Sequence, residues 1–275
     1  MELVIVDGVT LAVEQAGRGE PVVFIHGASI ADAFGPLLVE PTLTDSFRLI
    51  TYRRRGYEGS SPVSGMISVR QQASDCRSLI EHLGHRAVHL VGHSFGGAVA
   101  LQLALDAPQV VHSLALLEPA LMIGGSRQAY RDSLEDGVRR YRSQGPEVVV
   151  DAMMNARWPG FRDGLERALP GAFSQAIRDS AASFESELPA LLDWNFGEDE
   201  ARLIAQPTLS VLGEKSGSLS PRFEEAHGWL LSSIEHSEGY VLPGAHHFLQ
   251  IENPKQMANA LASFFGRHPI EGAST

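Results

Sequence analysis

The sequence predicts an α/β fold: a mostly parallel central sheet flanked by helices, with a helical cap inserted between strands. Continuous apolar runs of strand length alternate with segments of helical spacing up to residue 117. One junction, across residues 87–105, passes from a buried strand to a helix through a turn dense in glycine. The alternation then gives way to helical patterning over residues 120–205, before strands resume near 208. Residues 1–119 and 206–268 are therefore expected to form the core domain, 120–205 the cap or lid, and 269–275 a polar tail.

Residues 3–6 and 10–14 flank Asp7-Gly8, the chemistry of a tight hairpin turn. Residues 22–25 (Val-Val-Phe-Ile) and 47–52 read as buried strands, with a short helix between them in 32–43. Val69, Ala73, Cys76 and Ile80 fall at helical spacing over 68–83, and Gly84 stands where a helix C-cap is expected. A strand at 87–91, a helix at 97–105 and a strand at 111–117 follow. Breaks at Gly145-Pro146, Pro159-Gly160, Pro170-Gly171 and Pro189 divide the long helical stretch. Its length rules out a simple loop, so it is expected to lie over the sheet edge. Strands at 208–212 and 240–242 enclose a helix near 221–231, and a final helix covers 254–265.

The 275 residues, 44% hydrophobic, can bury a substantial core. A formal net charge of −11 repels phosphate backbones and anionic lipid, so neither nucleic acid nor a membrane surface is an expected partner. Cys76, the single cysteine, leaves no internal disulfide and no thiolate metal cluster. The first residues lack a basic stretch leading into an apolar one, and no run reaches the ~18 apolar residues of a membrane span. A cytoplasmic protein is expected. Oligomeric state is not legible.

Gly92-His93-Ser94-Phe95-Gly96 has the form Gly-x-Ser-x-Gly. Chance supplies such a pentapeptide in roughly a quarter of chains with this composition, so context must carry the claim. Here the motif lies between the apolar strand ending at Val91 and an alanine-rich helix, the strand-turn-helix setting that lifts a nucleophilic serine out of a sheet. Glycine at 92, 96 and 97 allows the close backbone approach that so tight a turn demands. Ser94 then sits at a helix N-terminus, where backbone N–H groups favour developing negative charge. An oxyanion hole would draw one donor from Phe95 N–H and the other from the loop His26-Gly27-Ala28-Ser29, through Ala28 N–H. His26 itself, between a buried strand and that loop, reads as a hydrogen-bonded structural residue.

With His26-Gly27, Arg55-Gly56, Gly92–Gly97 and Pro243-Gly244-Ala245-His246-His247-Phe248, the chain resembles the α/β-hydrolase fold family over nearly its full length. Relatives usually carry Asp-x-Arg-Gly-x-Gly-x-Ser after the strand at 47–52, whereas this chain has Arg53 for the aspartate and Glu58 for a glycine. The resemblance implies a Ser-acid-His triad with Ser94 as nucleophile. The family's Pro-Gly-x-x-His-Phe register selects His247 rather than His246 as the base. The usual acid position, three residues after Gly213, is held by Ser216. Some members take the acid from the end of the strand after the elbow helix, which here ends in Glu118-Pro119. Glu118 is the expected acid and Glu214 the reserve; a structural glutamate paired with an arginine remains the alternative for Glu118.

Trp158, Trp194 and Phe196 lie in the helical stretch, where they are expected either to wall an apolar substrate pocket or to fill the stretch's own core. His82, His85 and His89 straddle a helix end, a glycine and a strand, so no metal site is expected there. No His-Glu-x-x-His, Walker A or Gly-x-Gly-x-x-Gly element occurs, and no cofactor is expected. The expected activity is cofactor-independent cleavage of a carboxylic ester or lactone in a small, largely apolar substrate through an acyl-enzyme. The same scaffold leaves open a carbon-carbon bond hydrolase, acyltransferase or perhydrolase, and, given Ser216, a non-catalytic ligand-binding protein. Dehalogenases and epoxide hydrolases of the fold use an aspartate nucleophile, which Ser94 argues against.

Overall fold

A computed structural model describes residues 1–155 and 158–270; the last five residues of the expected polar tail lie outside the described ones. Eight strands build one sheet: β1 (Glu2–Val6), β2 (Val9–Gly17), β3 (Glu20–Ile25), β4 (Phe47–Arg53), β5 (Val88–His93), β6 (Val111–Leu117), β7 (Thr208–Gly213) and β8 (Ser237–Leu242). Their order is β1-β2-β4-β3-β5-β6-β7-β8. The β1–β2 hairpin pairs Val6 with Val9, so Asp7 and Gly8 form a two-residue turn, and both have the positive φ such a turn requires, 47° and 78°. β2 pairs antiparallel with β4, and every later pairing is parallel. All six residues of β5 are buried, as expected of a central strand covered on both faces.

The helices are α1 (Pro41–Thr44), α2 (Val69–His82), α3 (Phe95–Asp106), α4 (Arg127–Gln144), α5 (Pro146–Asn155), α6 (Phe161–Ala168), α7 (Ala172–Arg178), α8 (Leu188–Asp193), α9 (Glu198–Ala201), α10 (Arg222–Ser233), α11 (Leu249–Glu252) and α12 (Pro254–Arg267), with a π-helical turn at Ala182–Glu187. α2, α3 and α10 share one apolar cluster with one sheet face, and α1 and α12 share another with the opposite face. Between β6 and β7 come α4 to α9, of which α5 to α7 and the π turn pack together beyond the carboxyl ends of the strands. Their own apolar cluster, including Val150, Met154, Phe161 and Phe184, meets Ile30, Ala33 and Phe248 of the loops that emerge there.

Several boundaries differ from those expected. The helix anticipated in 32–43 is a 3-10 segment, Gly35–Val39, followed by α1, because Pro41 interrupts the backbone ladder. Gly145, Gly160 and Gly171 end or begin helices with φ of 84°, 81° and 85°. Pro189 does not break the chain. It lacks an N–H, and in a regular α-helix its ring would crowd the Glu185 carbonyl; here the helix widens into the π turn before continuing as α8. α11, a single turn after the His246-His247 loop, has too short an apolar pattern to be foreseen. Among the described residues no helix is long and apolar enough to cross a membrane, and no three metal-binding side chains converge.

Candidate active site

The turn from β5 into α3 is as tight as its glycines require. A Cβ on Gly92 would lie 2.5 Å from the Gly96 carbonyl oxygen, and one on Gly96 would collide with the carbonyl oxygens of Ile25 and His26. Ser94 takes φ 51° and ψ −117°, a conformation unfavourable for a residue with a side chain. Ser29 (φ 73°) and Glu118 (φ 44°) share this positive φ, so three of the four such non-glycine residues described surround one site. Backbone this strained persists where the surrounding contacts over-determine it.

Ser94, His247 and Glu118 come together from three separate segments. The His247 Nε2 lies 3.1 Å from Ser94 Oγ, and His247 Nδ1 lies 2.6 Å from Glu118 Oε2. The second carboxylate oxygen, Oε1, accepts the Gly213 N–H at 2.7 Å. Burial pushes the Glu118 carboxyl above the usual carboxylate range, opposed by Ser216, then by the Gly213 N–H, and last by the charges of His93 and Arg222. Ser216, at the position where relatives usually carry the acid, is fully buried beside Glu118. Its hydroxyl is close enough to moderate the carboxylate, without reaching hydrogen-bond geometry in this conformation. Glu214 is exposed and accepts the Gly244 N–H, away from the imidazole. His246 faces Glu252, with Nδ1 2.9 Å from its Oε2.

The loop after β3 passes against the serine: a Cβ on Gly27 would lie 3.1 Å from Ser94 Cβ. Ala28 borders the cavity above Ser94, and Ser29 N–H donates to Tyr57 Oη at 3.1 Å. Phe95 is the first residue of α3, so its N–H is among the donors that a helix leaves without an intrahelical acceptor. Its side chain turns inward, 4.8 Å beneath the Arg54 guanidinium. His26 is buried and held neutral, its pKa driven well below the ordinary value by burial and then by Arg54. Its Nδ1–H donates to Gly27 O at 2.7 Å and its Nε2 accepts the Arg54 N–H at 3.1 Å.

The two departures after β4 have visible consequences. Arg53 forks onto Asp32, with Nε at 3.0 Å and Nη2 at 2.7 Å, and donates through Nη1 to the Glu58 carbonyl. Glu58 reaches out to Arg178 of α7. Arg54 enters the interior, where it pairs with Glu187 of the π turn and donates to Gln72 at 2.6 Å. Tyr57 Oη donates to the same Glu187, at 2.9 Å. Sequence reading did not anticipate this buried group: Arg54 stands between Arg53 and Arg55, and Glu187 follows Glu185 and Ser186, so neither is marked locally as the buried one.

Above Ser94 lies a cavity of about 320 Å³ between the loops and the helices that follow β6. Leu134, Val149, Met153, Phe184, Leu188 and Phe248 give it apolar walls. Trp158, Trp194 and Phe196, expected either to wall a pocket or to fill the core of their own stretch, do not border this cavity. Trp158 stacks on His246 with ring centroids 4.3 Å apart, outside the cavity. Trp194 stacks on Phe196 at 5.2 Å, and its Nε1–H is fixed by Gln102 Oε1 at 2.8 Å beside α3. The segment after α8 runs back toward the sheet, which carries both rings away from the cavity above Ser94.

The model of a family described as the alpha/beta hydrolase family matches residues 22–260. A 2-hydroxy-6-oxo-6-(2'-aminophenyl)hexa-2,4-dienoic acid hydrolase of Metapseudomonas resinovorans is 27% identical over 94% of this chain and 89% of its own. Among solved structures, a thermophilic esterase from Thermogutta terrifontis superposes with a TM-score of 0.79 at 23% identity, covering 98% of this chain and 100% of that one. An enol-lactonase from Burkholderia xenovorans LB400 superposes with a TM-score of 0.75 at 18% identity, covering 96% and 100%. The chain belongs to the alpha/beta hydrolase family and is an enzyme of that class.

Proposed function

We propose that the chain is a cofactor-independent serine hydrolase of carboxylic esters or lactones, with residues 120–205 acting as the cap over its site. The observation that carries this reading is the unbroken run Ser94 Oγ, His247, Glu118, at 3.1 Å and 2.6 Å. Ser94 Oγ attacks the carbonyl carbon as His247 Nε2 takes its proton. Glu118 holds the Nδ1–H and stabilises the imidazolium that forms. The oxyanion is received by Ala28 and Phe95 N–H groups. The carbon–oxygen bond then breaks, the imidazolium protonates the leaving alkoxide, and a water repeats the sequence to free the acid and regenerate Ser94. Ser94→Ala should lower turnover of p-nitrophenyl butyrate by about a thousandfold or more and abolish labelling by a fluorophosphonate probe, with an unchanged circular dichroism spectrum. Undiminished turnover in that variant rejects the assignment.

The full-length similarity to a dienoic acid hydrolase favours one second reading, hydrolysis of a carbon-carbon bond in a vinylogous diketone, by the same three residues. Turnover of such a diketone without turnover of p-nitrophenyl esters would select it over the first.

A further inference from the structure

Two arginines border the cavity above Ser94: Arg222 from α10 and Arg140 from α4. Asp136 is the single carboxylate bordering it among the described residues, and it already accepts from Arg139. Arg53, Arg54 and Arg55 each find a carboxylate at the core. Among the described residues none pairs with Arg222 or Arg140, in a chain with 33 acidic against 22 basic side chains.

Arg222 is also oddly placed for a residue with only a structural task. It opens α10, where the helix dipole disfavours a cation. It is held there by aromatic rings, its guanidinium carbon 4.2 Å from the Tyr130 centroid and 3.9 Å from that of Phe223. Glu225, three residues on, accepts Ser126 N–H at 2.9 Å and Ser126 Oγ at 3.0 Å, which ties the start of α4, and so Tyr130, to α10. Contact with ring faces does not use up the guanidinium N–H groups, whose fork suits a planar acceptor. The Phe223 ring lies 4.7 Å from the His247 ring, so one aromatic ring separates Arg222 from the candidate base.

We infer that the substrate turned over at Ser94 carries a carboxylate on a short apolar chain, bound by the edge of Arg222 with Arg140 adding positive charge. A monoester of a short dicarboxylic acid has this form. Its methylenes fit the apolar wall while its two ends meet Ser94 and Arg222. The inference rests on the serine hydrolase reading for its chemistry, though the recognition itself can be measured without turnover.

Mono-p-nitrophenyl glutarate and its uncharged methyl ester form a matched pair of substrates. The wild type should favour the anion in kcat/KM by ~10-fold or more, the scale of one charge-assisted forked contact. The preference should shrink as salt is raised. Arg222→Gln should cut the anion-to-neutral ratio at least ~10-fold, Arg222→Lys should cut it less, and Arg140→Gln should reduce it by a smaller factor still. Binding of monomethyl glutarate and dimethyl glutarate to the Ser94→Ala variant, followed by calorimetry, reads recognition with catalysis removed. Preference for the monoanion that disappears with Arg222→Gln supports the inference even if p-nitrophenyl esters are not hydrolysed, in which case the serine hydrolase reading alone fails. Equal affinity for the two ligands, or a ratio that Arg222→Gln leaves intact, overturns it.

Discussion

Glu118 reaches His247 from the end of β6, while Ser216, in the loop after β7, is buried against the same carboxylate. The two loops are hydrogen-bonded neighbours, since Gly213 N–H donates to Glu118 and Glu118 N–H to Val211 O. An acid on either loop can therefore address one imidazole. Glu118→Gln keeps the volume but removes the charge that supports the imidazolium, and kcat should fall by ~10²–10⁴-fold. Adding Ser216→Asp to that variant should restore activity by at least ~10-fold, because the new carboxylate stands where the old one had its neighbour. Measured kcat values for the single and double variants test this. Near-wild-type turnover in Glu118→Gln would remove Glu118 from the proposed triad. The contact was legible in the sequence because an acid following four apolar residues at a strand's carboxyl end has few places to go. The orientation of Trp158, Trp194 and Phe196 was not legible. Which way a helix in an irregular segment turns its aromatics depends on packing partners such as His246 and Gln102, distant in the chain.

The strands and the elbow could be read locally, since strand length, glycine placement and apolar runs are properties of neighbouring residues. The π turn at Ala182–Glu187 could not, because it arises where Pro189 meets a demand for Glu187 to face inward. That demand comes from Arg54, 133 residues earlier. The pair is almost fully desolvated, each side chain 1% exposed, and joins the loop after β4 to the helices beyond β6. Removing one partner strands a buried charge, whereas removing both does not. Glu187→Ala should lower unfolding stability by about 3–5 kcal/mol. Arg54→Met combined with Glu187→Leu should recover much of that loss. Urea midpoints at constant m-value provide the measurement. Equal losses in the single and double variants would show that packing, and not the uncompensated charge, dominates at this junction.

At the scale of the whole molecule, the candidate site gathers at the carboxyl ends of β3, β5 and β6 and in the loop after β8. A second set of buried ionisable groups lies away from that site and contributes to the pH dependence of stability. His89, in the middle of β5, is fully buried, with Nδ1 2.7 Å from Ser113 Oγ and Nε2 3.0 Å from Glu20 Oε2. His112 and His268 also face it. Burial lowers its pKa to about 4, against the attraction of Glu20. Since the folded pKa lies below the unfolded value of about 6.5, the unfolded chain binds the proton first as pH falls. The stability that neutral His89 contributes is complete above that value, declines by up to about 1.4 kcal/mol per pH unit below it, and is exhausted near pH 4. The carboxyls of Asp75, Asp179 and Glu187, raised by burial, act in the opposite sense, because the native state takes up their protons first. The wild-type curve alone therefore mixes both. His89→Gln isolates one contribution: it removes the titration while an amide can still meet Ser113. Relative to its own stability at pH 7.5, the variant should lose less than the wild type on going to pH 4.5. Thermal or urea unfolding across that range tests the slope, and parallel curves would mean that His89 takes up its proton equally in both states. The site does not interfere with this reading, because the partners of His89 are Glu20, Phe47, His112, Ser113 and Phe265, none of them among the residues around Ser94.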